Sequence, residues 1–260
     1  MLALRASRLF DGHGWVSPAT VLVSDRVIVD VGVSVPENVP AVDLGDATLL
    51  PGLIDCHQHL CFDGDGTLEE QVTGVDDDAL VVRARTSAQR ALQAGVTTVR
   101  DLGDRGYVTL GLREDPSLPT ILASGPPLTR TGGHYWFLGG ICAGETDLRR
   151  AVAERHERGC DVVKVMATGG HGTPTVPMWA SQFSAEELRI VVEEAHGRGL
   201  PVAAHCHGRM GIEWAAEAGR GHHRALHLLF IERPPRTRRD AAGAARSRRR
   251  GDRTDTGPTA

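Results

Sequence analysis

The sequence predicts an α/β protein, because strand and helix patterns alternate along most of the chain. Val96–Arg100 and Val162–Met166 are short apolar strand patterns, and the helical segments between predicted strands end at glycine. The helix predicted over Ser184–Arg198 opens with Ser-Ala-Glu-Glu, which is a capping box. Repeated strand–helix units of this kind form a parallel sheet, which is either doubly wound or closed into a barrel.

Three segments of the chain differ in pattern. Residues 1–51 show short strands separated by Gly, Pro, Asp and Asn, which predicts the N-terminal part of a small β-domain of sandwich type. Residues 52–219 contain about five strand–helix units, fewer than a closed (β/α)8 barrel of TIM type has, so we expect an incomplete barrel. Residues 220–260 carry 11 Arg and 4 acidic residues without a strand or helix period, and we expect an aberrant, disordered tail.

The composition excludes some locations and partners. No apolar run approaches the roughly 20 residues that span a bilayer, and no signal-peptide pattern is present, so we expect no membrane partner. Five cysteines without repeated spacing favour reduced thiols and a cytoplasmic location. The Arg-rich tail taken alone would fit nucleic-acid binding, but we do not expect that partner for the protein.

Two His-x-His pairs follow predicted strands. His57 and His59 come directly after a short apolar strand, and side chains two residues apart on a strand point the same way. Both imidazoles could therefore bind one metal ion, although this spacing alone is weak evidence against solvated or core histidines. His205 and His207 end another strand in the same manner. Core packing does not predict two such pairs.

Lys164 is the only lysine among 29 basic residues, and it lies inside an apolar strand. A lysine at a strand edge can reach solvent with its amine, which is the ordinary structural explanation. In a barrel, however, this side chain points either inward or against apolar helices, and a buried ammonium is costly. An amine can lose its charge, which a guanidinium does not. Carboxylation by carbon dioxide would turn it into an anionic oxygen ligand that can bridge two metal ions.

Four motifs together resemble the amidohydrolase superfamily, and most closely its imidazolonepropionase-like and Xaa-Pro-dipeptidase-like branch. They are PGLIDCHQH at 51–59, TTVRDLG at 97–103, KVMATGG at 164–170 and HCHG at 205–208. The resemblance extends from about Leu2 to Gly219. It implies a TIM-type barrel and hydrolysis of a C–N bond in an amide, a small peptide or a cyclic amide.

The resemblance also implies the ligands of two divalent metal ions. His57 and His59 would hold the buried ion, carboxylated Lys164 would bridge both ions, and His205 would bind the second. Zinc is the expected metal, although these ligand types also suit other divalent ions. A hydroxide that bridges the ions would attack a polarised substrate carbonyl. Contact with the substrate is implied for two further side chains, His134 and His207.

Two residues that the resemblance calls for have no counterpart in the sequence. They are a histidine at the end of strand 6 and a general-base aspartate at the end of strand 8, so no catalytic residue is assigned. The codons compatible with His222–His227, shifted by one base, permit Thr-Ile-Glu-His-Cys-Thr. We therefore hypothesise that residues from about 220 onward are a frameshifted reading, which leaves a C-terminally truncated hydrolase with impaired activity.

Two other functions stay open from the sequence. The chain could be an inactive, truncated relative that acts as a binding protein through its basic tail. It could also be a mononuclear deaminase of the same superfamily, although that group does not use a carboxylated lysine and Lys164 argues against it. The sequence leaves open which small amide or peptide is the substrate and whether the protein forms an oligomer.

Overall fold

The computed structural model describes residues 1–64 and 67–220, together with the backbone of 226–229. The predicted α/β class is confirmed, because strands and helices alternate after residue 52. The chain divides into two compact units, of which the first comprises Met1–Ile54 with Gly95–Thr98 and the second comprises Asp55–Ala94 with Val99–Ala260.

The N-terminal strands form two small sheets. One has four strands in the order β4-β3-β1-β5, and the other pairs β2 with β6. Strand β1 is antiparallel to β3 and parallel to β5. A β-sandwich arrangement of these sheets stays a prediction. The strands are β1 (Leu2–Arg5), β2 (Arg8–Leu9), β3 (Thr20–Ser24), β4 (Val27–Val31), β5 (Ala41–Asp43) and β6 (Thr48–Leu49).

The rest of the described chain contains longer strand–helix units. Its strands are β7 (Leu53–Gln58), β8 (Val96–Asp101), β9 (Thr120–Ala123), β10 (Val163–Met166), β11 (Val202–His205) and β12 (Leu226–Leu229). Its helices are α1 (Leu68–Thr73), α2 (Asp77–Gln93), α3 (Gly144–Glu157), α4 (Ala185–Gly197) and α5 (Arg209–Ala218). Two 3₁₀ turns, Leu110–Leu112 and Trp136–Leu138, lie in the connections.

These strands form two three-stranded sheets, with the orders β7-β8-β9 and β10-β11-β12. In the second sheet the strands are parallel, and Met166 on β10 stands opposite His205 on β11. A parallel bridge between Leu128 and Val165 adds the segment after β9 to the edge of β10. Closure of these strands into a (β/α)8 barrel stays a prediction.

The core of the second unit forms around β10 and β11, whose residues are all buried. Their apolar side chains pack against buried faces of α3, α4 and α5. The predicted capping box of α4 is confirmed, since Ser184 and Glu187 each accept a hydrogen bond from the other's backbone N–H. A charged side chain within a strand that is buried on both faces is removed from water, which is energetically costly.

Strand β12 lies in the segment 220–260, for which disorder is predicted. Leu226–Leu229 pairs in parallel with β11, and disorder of the segment as a whole stays a prediction. Four residues are too few to show a sequence period, and the open edge of β11 supplies their backbone partners. His222 and His223 lie outside the described residues, and the frameshift stays a hypothesis. None of the described helices has the length and apolar composition that crossing a membrane requires.

Candidate metal centre

The first His-x-His pair lies at the end of β7, where the imidazoles of His57 and His59 turn toward each other. Their Nε2 atoms are 3.3 Å apart. Two nitrogens bound to one tetrahedral zinc ion at about 2.0–2.1 Å stand about 3.3–3.4 Å from each other. The two side chains therefore already have the separation of two ligands of one ion, as the sequence pattern predicts.

A hydrogen bond selects which nitrogen of His59 is available. Its Nδ1 lies 2.9 Å from the carbonyl oxygen of Gly103. A carbonyl only accepts, so Nδ1 carries the hydrogen and Nε2 keeps its lone pair. The pKa of His59 is lowered to about 3 and that of His57 to about 4, first by burial and second by the positive charge of Lys164. Both rings are thus neutral near pH 7, as metal ligands must be.

Lys164 lies in the middle of β10 and is 0% exposed. Within the described part of the chain, its Nζ is a buried polar atom without a hydrogen-bond partner. Burial lowers the pKa of Lys164 to about 7, and the positive charge of Arg100 contributes to the decrease. A charged amine would be costly here, and even the neutral amine lacks a partner for its hydrogens and lone pair.

His205 ends β11 with its side chain buried. Its Nε2 lies 3.1 Å from the carbonyl oxygen of Gly169, so Nε2 donates and Nδ1 is the acceptor nitrogen. Its ring centroid is 4.4 Å from that of His134 and 4.5 Å from that of His207. The pKa of His205 lies far below its usual value, because of burial first and of the neighbouring positive charges second.

His134 comes from the long loop after β9, as expected for a substrate contact. Its Nδ1 is 3.2 Å from the hydroxyl of Thr173, whose oxygen accepts a hydrogen bond from the backbone N–H of Tyr135 and whose O–H can donate to Nδ1. A side chain at Gly170 would collide with two rings, since a Cβ there would lie 2.5 Å from Nε2 of His134 and 2.6 Å from Nε2 of His205. Gly170 therefore lets these two histidines approach the backbone of the loop after β10.

The sequence profile of the amidohydrolase family matches residues 48–237. The chain belongs to this family. It is 32% identical to ochratoxinase from Aspergillus niger, in an alignment of 242 positions that covers 77% of this chain and 49% of the relative. It is 28% identical to imidazolonepropionase from Pseudomonas entomophila, with 79% of this chain and 56% of the relative covered. The chain thus spans about half the length of these curated relatives.

Solved structures of amidohydrolases resemble the fold. The crystal structure of A. niger ochratoxinase superposes with a TM-score of 0.73 at 29% identity, covering 84% of this chain and 58% of that chain. A Xaa-Pro dipeptidase with methionine bound in its active site gives a TM-score of 0.73 at 27% identity, with 84% and 59% covered. The family resemblance predicted from the four motifs is therefore confirmed, and α/β amidohydrolase barrels are its structural neighbours.

The amidohydrolase fold brings the predicted residues into two contact groups, one formed by His57 with His59 and the other by His134, His205 and His207. Lys164 connects them electrostatically, since its positive charge lowers the pKa of a histidine in either group. In residues 1–64 and 67–220, no three His, Cys, Asp or Glu side chains group closely enough to hold a metal ion by themselves.

Several residues near the centre escaped the sequence analysis. The rings of Phe62 and Tyr135 lie 5.6 Å and 5.3 Å from that of His59, centroid to centroid. The ring of His171 lies 6.0 Å from that of His207. The position of His171 just after the Lys164 motif, in a loop rich in glycine, is the signal that could have identified it.

Proposed function

We propose that this chain carries the metal centre of a hydrolase that cleaves a C–N bond in a small amide, peptide or cyclic amide. The observation that carries the proposal is Lys164, a buried amine without a hydrogen-bond partner among the described residues. Structural lysines reach solvent or pair with a carboxylate. A lysine that does neither, and whose charge acts on histidines on both sides, is explained by chemistry at its amine.

The donor atoms fit two divalent ions, with zinc as the expected metal. His57 and His59 would hold one ion through nitrogens with the spacing of a tetrahedral pair. His205 would contribute to the second ion, and carboxylated Lys164 would join both. The bound ions would activate water near neutral pH and polarise the substrate carbonyl.

Lys164 is suited to carboxylation because burial keeps a large share of its amine neutral near pH 7. The lone pair of the neutral Nζ forms a bond to the carbon of carbon dioxide, and one C=O π bond opens onto oxygen. Nζ then releases one proton to solvent, which leaves a singly negative carbamate. The new oxygens would be anionic ligands and would offset part of the positive charge of the ions.

His134 and His207 are proposed to contact the substrate. Their rings flank His205, the proposed ligand of the second ion. Burial lowers the pKa of His134 to about 3, so this imidazole is neutral and its remaining nitrogen can hydrogen-bond a substrate carbonyl. The names of the relatives support small substrates, since one is a Xaa-Pro dipeptidase and another an imidazolonepropionase.

Two further parts of the proposal concern location and activity. The five cysteines all lie in the described residues and are unpaired, which supports the reducing environment of a cytoplasm. We propose that this chain binds metal, and impaired hydrolysis stays a hypothesis.

Metal content tests the proposal without relying on activity. The full chain is loaded with zinc, with and without bicarbonate, and the ions per chain are counted by mass spectrometry beside Lys164→Arg and the exposed-site control His13→Gln. We expect two ions in the wild type and in the control, fewer without bicarbonate, and at most one in Lys164→Arg whatever the bicarbonate. A wild type without zinc would refute the metal centre. One ion per chain in both the wild type and Lys164→Arg would favour a mononuclear deaminase.

A further inference from the structure

Asp101 is a buried carboxylate at the end of β8, and it is 0% exposed. One oxygen accepts a hydrogen bond from the backbone N–H of Leu60 at 2.7 Å. The other accepts from the backbone N–H of Gly103 at 3.0 Å. Both oxygens are engaged by backbone donors, so Asp101 is placed to hold chain segments together and not to contact a substrate.

Asp101 joins the same two backbone segments between which the hydrogen bond of His59 forms. Leu60 follows His59 directly in the sequence, and Gly103 supplies the carbonyl that accepts from Nδ1 of His59 at 2.9 Å. The approach is close, since a Cβ at Gly103 would lie 3.1 Å from two atoms of the His59 ring. A displacement of either backbone segment would lengthen this bond.

We infer that Asp101 is a positioning residue that fixes the tautomer of His59 and thereby the metal affinity of the proposed centre. The affinity part rests on the proposed function, whereas the tautomer part does not. The Gly103 carbonyl selects the form of His59 with hydrogen on Nδ1, and Asp101 keeps that carbonyl in place. Hydrogen-bond partners of metal-binding histidines set ring orientation and basicity in this manner.

The chemistry of the side chain explains why a carboxylate stands here. It offers acceptor oxygens to two donors that come from different segments. An amide of the same shape has one oxygen and one NH₂, so Asp101→Asn would set a donor against a backbone N–H and leave a buried group unsatisfied. The substitution therefore perturbs the backbone at Leu60 or at Gly103, while the volume of the side chain hardly changes.

Asp104 provides a matched control. It is also 0% exposed, and one of its oxygens accepts hydrogen bonds from the backbone N–H and the hydroxyl of Thr109, at 2.8 Å and 2.6 Å. These bonds lie inside the loop after β8 and involve neither His59 nor Gly103. Asp104→Asn thus replaces a second buried carboxylate without removing either hydrogen bond of Asp101.

The test uses the full chain as wild type, Asp101→Asn and Asp104→Asn. In metal-free protein, ¹⁵N NMR of the imidazoles reports which ring nitrogen of His59 carries hydrogen, with the signal assigned by its loss in His59→Gln. Zinc affinity is measured by competition with a chelator. We expect the Nδ1–H form in the wild type, a mixture of tautomers in Asp101→Asn, and a zinc affinity about 10–100-fold weaker in that variant.

The control separates positioning from stability. Asp104→Asn should leave the His59 tautomer and the zinc affinity unchanged, even where its melting temperature falls as far as that of Asp101→Asn. Equal changes in both variants, or none in Asp101→Asn, would overturn the inference. Should Asp101→Asn fail to fold, the wild-type spectrum still provides a test. Hydrogen on Nε2 of His59 would contradict the hydrogen bond from Nδ1 to the Gly103 carbonyl on which the inference rests. A wild type that binds no zinc would refute the proposed function and the affinity part, leaving the tautomer to NMR.

Discussion

The two halves of the candidate centre differ in how completely they are formed before any ion is bound. At the end of β7, the His59 ring has its carbonyl partner, and Asp55 and Asp101 hold the surrounding backbone through hydrogen bonds. On β10, Lys164 is fully buried and has no hydrogen-bond partner within the described residues. The first half is organised by the fold alone, whereas the second half requires a chemical change at an amine.

This difference suggests an order of assembly. The His57–His59 pair presents nitrogens at ligand spacing, so a first ion needs little rearrangement of the protein. The second ion needs an anionic ligand that the unmodified Lys164 cannot provide. We expect the first ion to bind without bicarbonate and the second to depend on it.

The largest expected effect comes from removing one ligand from each half. His59→Gln should weaken binding of the first ion by more than the roughly 10–100-fold of a change outside the ligand shell. His205→Gln should leave one ion tightly bound and lose only the second. Zinc titration against a chelator measures both steps, with His13→Gln as an exposed control. A His205→Gln variant that loses the first ion as severely as His59→Gln would contradict a preformed first half.

A smaller effect concerns stability in the absence of metal and carbon dioxide. Burial lowers the pKa of Lys164 to about 7 from 10.5, so the folded state disfavours the charged amine. Above pH 10.5 the amine is neutral in both states and does not destabilise the folded protein. As the pH falls from 10.5 toward 7, the free energy of unfolding decreases. Lys164→Met has no such group, so its advantage in unfolding free energy should grow by up to about 1.4 kcal/mol per pH unit over that fall.

Urea unfolding of both proteins in chelated, degassed buffer provides the measurement. The difference between Lys164→Met and the wild type should level off below pH 7, where the folded amine is protonated. A difference that stays constant between pH 7 and 10.5 would mean that the amine reaches water in the folded protein. That result would remove the contrast between the two halves.

Much of the fold could be predicted because packing imposes clear periods on the sequence. Strand β8 extends one residue beyond the predicted Val96–Arg100, and β10 begins one residue after the predicted start at Val162. The alternation around Lys164 predicted a side chain directed away from solvent, and β10 is buried throughout. Strand β5 was missed because its three residues, Ala-Val-Asp, are too few to show an alternating pattern.

The support of the site was harder to predict than its ligands. The His-x-His spacing is local, and the structure places both rings as this spacing requires. Asp101, in contrast, acts on the backbone N–H of Leu60, which is 41 residues away in the sequence. A backbone donor is present at almost every position, so no residue type marks the partner. Sequence reasoning could place Asp101 near the site but could not assign what it holds.

The most direct test of the account is detection of the carbamate on Lys164. The chain is incubated with ¹³C-bicarbonate and zinc, and ¹³C NMR is recorded for the wild type and for Lys164→Met. Lys164 is the only lysine of the sequence, so the variant removes the only side-chain amine that can react. The account predicts a carbamate carbon signal in the wild type that is absent in Lys164→Met. No such signal in the wild type, or the same signal in both proteins, would contradict it.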